Sequence, residues 1–176
     1  MLLARQATAA DSPDEQAAWT ALRGGAILLL RHANAPGIGD PAGMRLGDCS
    51  TQRNLDAAGR AQARRIGERL RRERVPVAAV WSSQWCRVRE TAELAALGPV
   101  REVAAFNSFF GERTAEPAQT AAARALLLAW RERGSLVVFT HQVNIGALSG
   151  QGASSGEGVV MRAERGTLNL VGRLQP

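Results

Sequence analysis

The stretch Ala26-Ile27-Leu28-Leu29-Leu30-Arg31-His32-Ala33-Asn34 is an apolar run that stops at Arg-His and breaks into the loop Ala35-Pro36-Gly37-Ile38-Gly39. An apolar run this short, bounded by turn residues, reads as a strand buried on both faces. In an open α/β sheet, ligands bind beyond the carboxyl ends of the strands, so Arg31 and His32 are expected at the mouth of a site. The pattern recurs. Val77-Ala78-Ala79-Val80-Trp81 runs into Ser82-Ser83-Gln84-Trp85-Cys86-Arg87, and Leu136-Val137-Val138-Phe139-Thr140 stops at His141. The chain has two histidines, and both directly follow such runs. One such histidine is ordinarily a core or capping residue. Two histidines and two arginines at strand ends point to a shared site.

Helical patterns separate these strands. Ser12-Pro13-Asp14-Glu15 reads as a capping box opening a helix to about Arg23, which Gly24-Gly25 ends. Asp56 caps a second helix to about Glu73, with Ala58, Ala61, Ile66 and Leu70 as its inner stripe. Further helices are expected over 87–97, 116–133 and 143–148, the 116–133 helix packing Ala122, Leu126, Leu127 and Trp130. A short strand is expected over 100–103, and 158–163 with 167–171 reads as a hairpin. The whole predicts a three-layer α/β/α domain whose mostly parallel central sheet carries an antiparallel C-terminal hairpin. The loop over 33–55 is long enough to be functional rather than a mere connection.

A chain of 176 residues is one domain by length, large enough to bury roughly two-thirds of its unfolded surface. Residues 1–11 read as a disordered segment or the remnant of a signal peptide, and 12–176 as the domain. The small-residue end of the first ten residues resembles a leader's tail, without its full apolar core. Periplasmic or secreted localisation is therefore expected, with a cytoplasmic chain as the alternative. No apolar stretch approaches membrane-span length. The net charge is +6 and every cation is Arg, a residue that grips phosphate and carboxylate bidentately. Arg60, Arg64, Arg69, Arg71 and Arg72 lie mostly outside the inner stripe of the second helix, but without interleaved aromatics for base stacking they read as solvated helix surface, and no nucleic-acid partner is expected. Cys49 and Cys86 have no metal-ligand spacing. They lie where the loop and the second strand end can meet; a bridge would contribute on the order of 4 kcal/mol.

Two guanidinium forks at Arg31 and Arg87 suit the oxygens of a phosphoryl group, and the helix starting near Arg87 would add backbone N–H donors. Nearby cations disfavour imidazolium, so His32 is expected neutral and nucleophilic near pH 7. Attack on phosphorus would form phosphohistidine, with Arg31, Arg87 and His141 stabilising charge on the equatorial oxygens. Two histidines without a carboxylate or thiolate at ligand spacing make a poor metal site, and no cofactor is implied.

These residues resemble motifs of the histidine phosphatase superfamily, in its phosphoglycerate-mutase-like branch. The family's Arg-His-Gly appears as Arg31-His32-Ala33, and its Ser-x-x-x-x-Arg-x-x-x-Thr-Ala element resembles Ser82 through Arg87 to Thr91-Ala92. His141 matches its second strand-end histidine, and Leu55-Asp56-Ala57-Ala58-Gly59-Arg60-Ala61-Gln62-Ala63 its Leu-x-x-x-Gly-x-x-Gln-Ala stretch. The resemblance spans 26–171. It implies a phosphoglycerate-mutase-like fold, His32 as the phosphorylated nucleophile, and Arg31, Arg87 and His141 in the phosphate pocket. Asn34, Arg53 and Gln142 are the candidate substrate-binding residues.

The family's usual general acid, a Glu in a Leu-x-Glu element, is missing, because the region reads Phe106-Asn107-Ser108. Glu157, which the flexible Gly/Ser segment could return to the pocket rim, is the preferred replacement and Glu112 the alternative. The expected activity is metal-independent phosphomonoester hydrolysis of a small phosphorylated substrate or a phosphoprotein. The small size, long first loop and possible export resemble the group containing lipopolysaccharide core heptose phosphatases and small phosphohistidine phosphatases. A phosphoglycerate-mutase-like phosphotransferase and a non-catalytic phospho-ligand binding module are the alternatives. Specificity is expected from the long loop and the segment 106–111.

Overall fold

A six-stranded sheet forms from four short strand segments, three of them largely apolar, and the final hairpin. The structure is a computed structural model, and it describes residues 13–176; the leader reading and the Ser12 cap lie outside the described residues. The strands are β1 (Ile27–Arg31), β2 (Val77–Ser82), β3 (Val100–Glu102), β4 (Ser135–Thr140), β5 (Gly158–Glu164) and β6 (Thr167–Leu174). Their order in the sheet is β3-β2-β4-β1-β5-β6. The first four in that order run parallel, and β5 and β6 add the antiparallel hairpin. The expected three-layer architecture is the one observed.

Side chains alternate across this sheet. Leu28, Leu30, Val80, Val137 and Phe139 meet α1 (Pro13–Arg23), α2 (Ala57–Arg72) and α3 (Cys86–Ala95) through Trp19, Leu22, Ile66, Leu70, Val88 and Ala92. Ile27, Leu29, Trp81, Leu136 and Val138 face α4 (Glu116–Leu128) and α5 (Gln142–Ser149) through Ala123, Leu127, Ile145 and Leu148. β4 is buried at all six positions, as expected for a central parallel strand covered on both faces.

The inner stripe of α2 is shifted from the expected one. Gly59, Ala63, Ile66, Gly67 and Leu70 are buried, while Ala58 is exposed and Ala61 only half-buried. The reason is close approach. A Cβ on Gly67 would lie 1.8 Å from the Ala95 carbonyl oxygen of α3, and one on Gly59 would lie 2.0 Å from the Asn34 carbonyl oxygen. The helix therefore turns its glycines inward, where no larger residue fits. α4 also ends earlier than expected, at Leu128, because Trp130 leaves the helix to stack edge-on against Trp81 at 5.8 Å. Its buried residues are Ala123 and Leu127, whereas Ala122 and Leu126 face outward.

Candidate active site

β2, β4 and β1 are neighbours, so their carboxyl ends open side by side. Arg31 pairs with Thr140, the His32 amide donates to the Thr140 carbonyl at 3.0 Å, and the Ser83 amide donates to the Phe139 carbonyl at 3.1 Å. This register places the residues just past all three strands on one edge. The two imidazole rings lie 5.6 Å apart, nearly perpendicular, and both are 1% exposed.

His32 is held in one tautomer. Its Nδ1 lies 2.8 Å from the Ala33 carbonyl oxygen, which can only accept, so Nδ1 carries the proton and Nε2 presents its lone pair. Arg87 Nε points at that Nε2 from 3.3 Å. Burial first, then the positive charge of Arg87, pushes the His32 imidazole down to about 3, so it is neutral through the physiological range. His141 is also held well below its ordinary value, by burial and by its proximity to His32 and Arg87. Its Nε2 lies 2.9 Å from Ser83 Oγ, and Trp85 stacks edge-on against its ring at 5.4 Å.

The spacing from Arg87 to Thr91 has a direct structural reason. Thr91 Oγ1 donates back to the Arg87 carbonyl at 2.6 Å and accepts the Ala33 amide at 3.1 Å. One hydroxyl thus ties the first turn of α3 to the backbone that follows His32. Arg31 extends one Nη to the Ala153 carbonyl at 3.1 Å, while its buried Nε has no partner among the described residues. Arg53 binds the carbonyls of Ala35 and Gly39 and so braces the loop that follows β1.

A cavity of about 560 Å³ opens over this cluster, lined by Arg31, Arg53, Arg87, His141 and Gln142 from below. Its walls are Gly37–Asp40 and Met44 on one side and Ser108 and Phe110–Glu112 on the other, the two segments from which specificity was expected. Ile38 is 90% exposed and Phe110 41%, giving the rim an apolar character. The cavity floor can hold an anion with several oxygens, since the Arg31, Arg53 and Arg87 guanidiniums and the neutral His141 imidazole line it with few carboxylates.

Residues 27–135 match the histidine phosphatase superfamily (branch 1). The chain belongs to that superfamily. Phosphoglycerate mutase from Thermus thermophilus superposes with a TM-score of 0.60 at 21% identity, over 85% of this chain and 98% of that one. The protein histidine phosphatase SixA complexed with tungstate gives 0.60 at 17%, over 85% and 96%. A phosphoserine phosphatase variant from Entamoeba histolytica, in complex with phosphoserine, gives 0.60 at 13%, over 85% and 96%. At these identities the likeness is one of fold. No curated protein matches the sequence.

In this superfamily member the expected nucleophile His32 and the expected phosphate-pocket residues Arg31, Arg87 and His141 come together, the last lying beyond the matched range. His32 sits behind Arg87 rather than on the cavity wall. Arg53 and Gln142 line the cavity as expected of substrate-binding residues. Asn34 does not. It is exposed, and its side chain donates to Asp56 at 3.0 Å, bracing the start of α2. Glu157 is likewise absent from the cavity wall. The turn preceding β5 points its Oε2 at the Ser154 amide, 2.9 Å away, and toward Arg173 at 3.4 Å. Glu112 does line the cavity, at its outer rim, where it caps a short 3-10 turn by accepting from Thr114.

In the segment where the family places its Glu, the Asn107 side-chain oxygen accepts the Gln84 amide at 2.9 Å and the Ser83 hydroxyl at 3.3 Å. Asn107 is a brace between β2 and the 106–111 segment and carries no transferable proton. One residue at the site went unrecognised in the sequence. Asp40 stands inside the cavity with both carboxylate oxygens on Arg87, at 2.7 and 3.1 Å. A signal was present, since Asp40 is the one carboxylate between Arg31 and Asp48, flanked by Gly39 and Pro41. The expected bridge forms between Cys49 and Cys86. No helix among the described residues is long and apolar enough to cross a membrane.

Proposed function

We propose that this protein is a phosphomonoester hydrolase that works through a phosphohistidine on His32 and needs no metal. The observation that carries the reading is the locked tautomer. Nδ1 is committed to the Ala33 carbonyl, and Nε2 is unprotonated beside the Arg87 guanidinium. A phosphoryl group held by Arg31, Arg87 and His141 would meet that lone pair once the Arg87 Nε turns from it to a phosphoryl oxygen. The guanidiniums supply the positive charge that metal ions supply in other phosphoryl-transfer enzymes. Splitting the displacement at a covalent intermediate replaces one difficult step by two easier ones.

The substrate is a small phosphorylated molecule or an exposed phosphorylated side chain, given the open, partly apolar rim formed by Ile38, Met44 and Phe110. The Cys49–Cys86 bridge supports an oxidising compartment, in line with export. Incubation with p-nitrophenyl phosphate followed by rapid quench tests the mechanism. The expected result is acid-labile, base-stable phosphate on His32, lost in His32→Ala, with inorganic phosphate released without an added acceptor. Turnover without a phosphorylated His32 would refute the mechanism, and transfer only to an acceptor alcohol would make the protein a mutase-type phosphotransferase.

A further inference from the structure

Hydrolysis through His32 requires a proton for the departing oxygen, and Asn107 has none to give. Glu157 is turned out of the cavity, and Glu112 is exposed at its outer rim. Asp40 is different in kind. Its carboxylate lies on the two Nη groups of Arg87, and the Nε of the same guanidinium touches His32 Nε2. The carboxylate is thus one guanidinium width from the nucleophile. Trp85 Nε1 donates to it at 3.0 Å and the Arg53 amide at 3.2 Å, so it has anchors besides Arg87. The pair is nearly enclosed, with the Arg87 side chain 3% exposed and that of Asp40 16%; the surface pair Arg60–Glu90 stands at 44% and 30%.

We propose that Asp40 is the general acid of this site, held against Arg87 when no phosphoryl group is bound and released to the leaving oxygen when one is. The inference rests on the hydrolase reading above. A carboxylate on a guanidinium fork occupies positions that two phosphoryl oxygens would take. A bound phosphoryl group therefore claims the Arg87 N–H groups for itself. Asp40 keeps Trp85 and the Arg53 amide but loses its cation and gains an anionic neighbour. Burial favours its neutral form; the hydrogen bond and charge of Arg87 oppose it most, followed by the hydrogen bonds from Trp85 and the Arg53 amide. Losing the Arg87 share beside a bound anion shifts Asp40 toward the protonated form.

The chemistry then balances. The His32 Nε2 lone pair attacks phosphorus and the N–P bond forms as the ester P–O bond breaks. The Asp40 carboxyl gives its proton to the leaving oxygen, which departs as the alcohol. In the second step a water oxygen attacks phosphorus, Asp40 takes the water proton, the N–P bond breaks, and phosphate leaves with His32 neutral again.

The test compares two esters in Asp40→Asn: β-glycerophosphate, whose alkoxide needs a proton, and p-nitrophenyl phosphate, whose phenolate does not. With kcat/KM as the readout, the glycerol ester is expected to fall about 100-fold or more and the aryl ester less than about 10-fold. Glu112→Gln is expected to change both by similar, small factors. Equal losses on both esters would reduce Asp40 to a positioning partner of Arg87 and overturn the proposal. Faster turnover of both would make it a mere competitor of the phosphoryl group and overturn the proposal as well. A leaving-group-dependent loss in Glu112→Gln, but not in Asp40→Asn, would move the role to Glu112. Should Asp40→Asn unfold, Asp40→Ala decides by the same ratio. Wild-type protein inactive on both esters would fell the hydrolase reading and this inference together; active wild type with an unselective Asp40→Asn fells only the inference.

Discussion

Removing the Cys49–Cys86 bridge should cost the domain a large part of its stability. The bridge joins residues 37 apart in sequence, and closing a loop of that length removes about 13 cal/mol/K from the unfolded chain, about 4 kcal/mol at 25 °C. A single domain has in all about 5–15 kcal/mol. The native side of the balance changes little, because polar side chains hold the loop independently. Gln52 accepts the Cys86 amide at 2.9 Å and donates to the Arg45 carbonyl at 2.9 Å, and Asn54 donates to the Cys49 carbonyl at 2.7 Å. The assay is urea unfolding followed by tryptophan fluorescence, with and without a dithiol reductant, and with Cys49→Ala/Cys86→Ala in parallel. At a slope of about 2 kcal/mol/M the midpoint should fall by about 2 M. A fall below about 0.5 M in both reduced and double-variant protein would refute the loop-entropy reasoning. The bridge also fastens the 33–55 segment to the first turn of α3, one residue from Arg87. Its loss should therefore raise KM for a phosphate ester more than it lowers kcat.

Two further outcomes follow from the same structure. The His32 imidazole sits at about 3 in the folded protein against about 6.5 when unfolded, so the unfolded chain binds more protons below pH 6.5. The stability this contributes is whole above pH 6.5 and drains away as pH falls toward 3. His32 alone should cost about 2 kcal/mol between pH 7 and pH 5, measurable as unfolding free energy in urea, and His141 acts in the same direction. His32→Asn should remove its own share of that slope, and a flat wild-type profile would contradict the neutral, buried imidazoles. Gly67→Ala should lower the melting temperature although Ala is the better helix former by about 1 kcal/mol, because its Cβ would stand 1.8 Å from the Ala95 carbonyl oxygen and overpacking costs about 1–3 kcal/mol. A raised melting temperature would show that α2 and α3 can separate freely.

The strand ends were legible because central parallel strands must be apolar throughout, so the first polar residue after each run marks the sheet edge where ligands bind. Arg31, His32 and His141 were read that way and Arg87 by its place after β2, and the structure joins all four. The phase of α2 was less legible. Its contact face is chosen by how near Ala95 and Asn34 approach, and alanines mislead where only glycine fits. Glu157 follows β-turn geometry that a Gly/Ser-rich segment does not announce, and the turn directs its carboxylate to Ser154 and Arg173.

By itself, the amino-acid sequence determined the layers, the parallel centre of the sheet and the basic strand-end cluster, since burial period and turn chemistry are local properties of the chain. Only the tertiary structure decided which carboxylate stands among those cations. Asp40 reaches Arg87 through the path of a long loop braced by Arg53 and fastened by Cys49 to Cys86. The destination of a loop side chain is set by contacts distant in sequence, which no local pattern encodes.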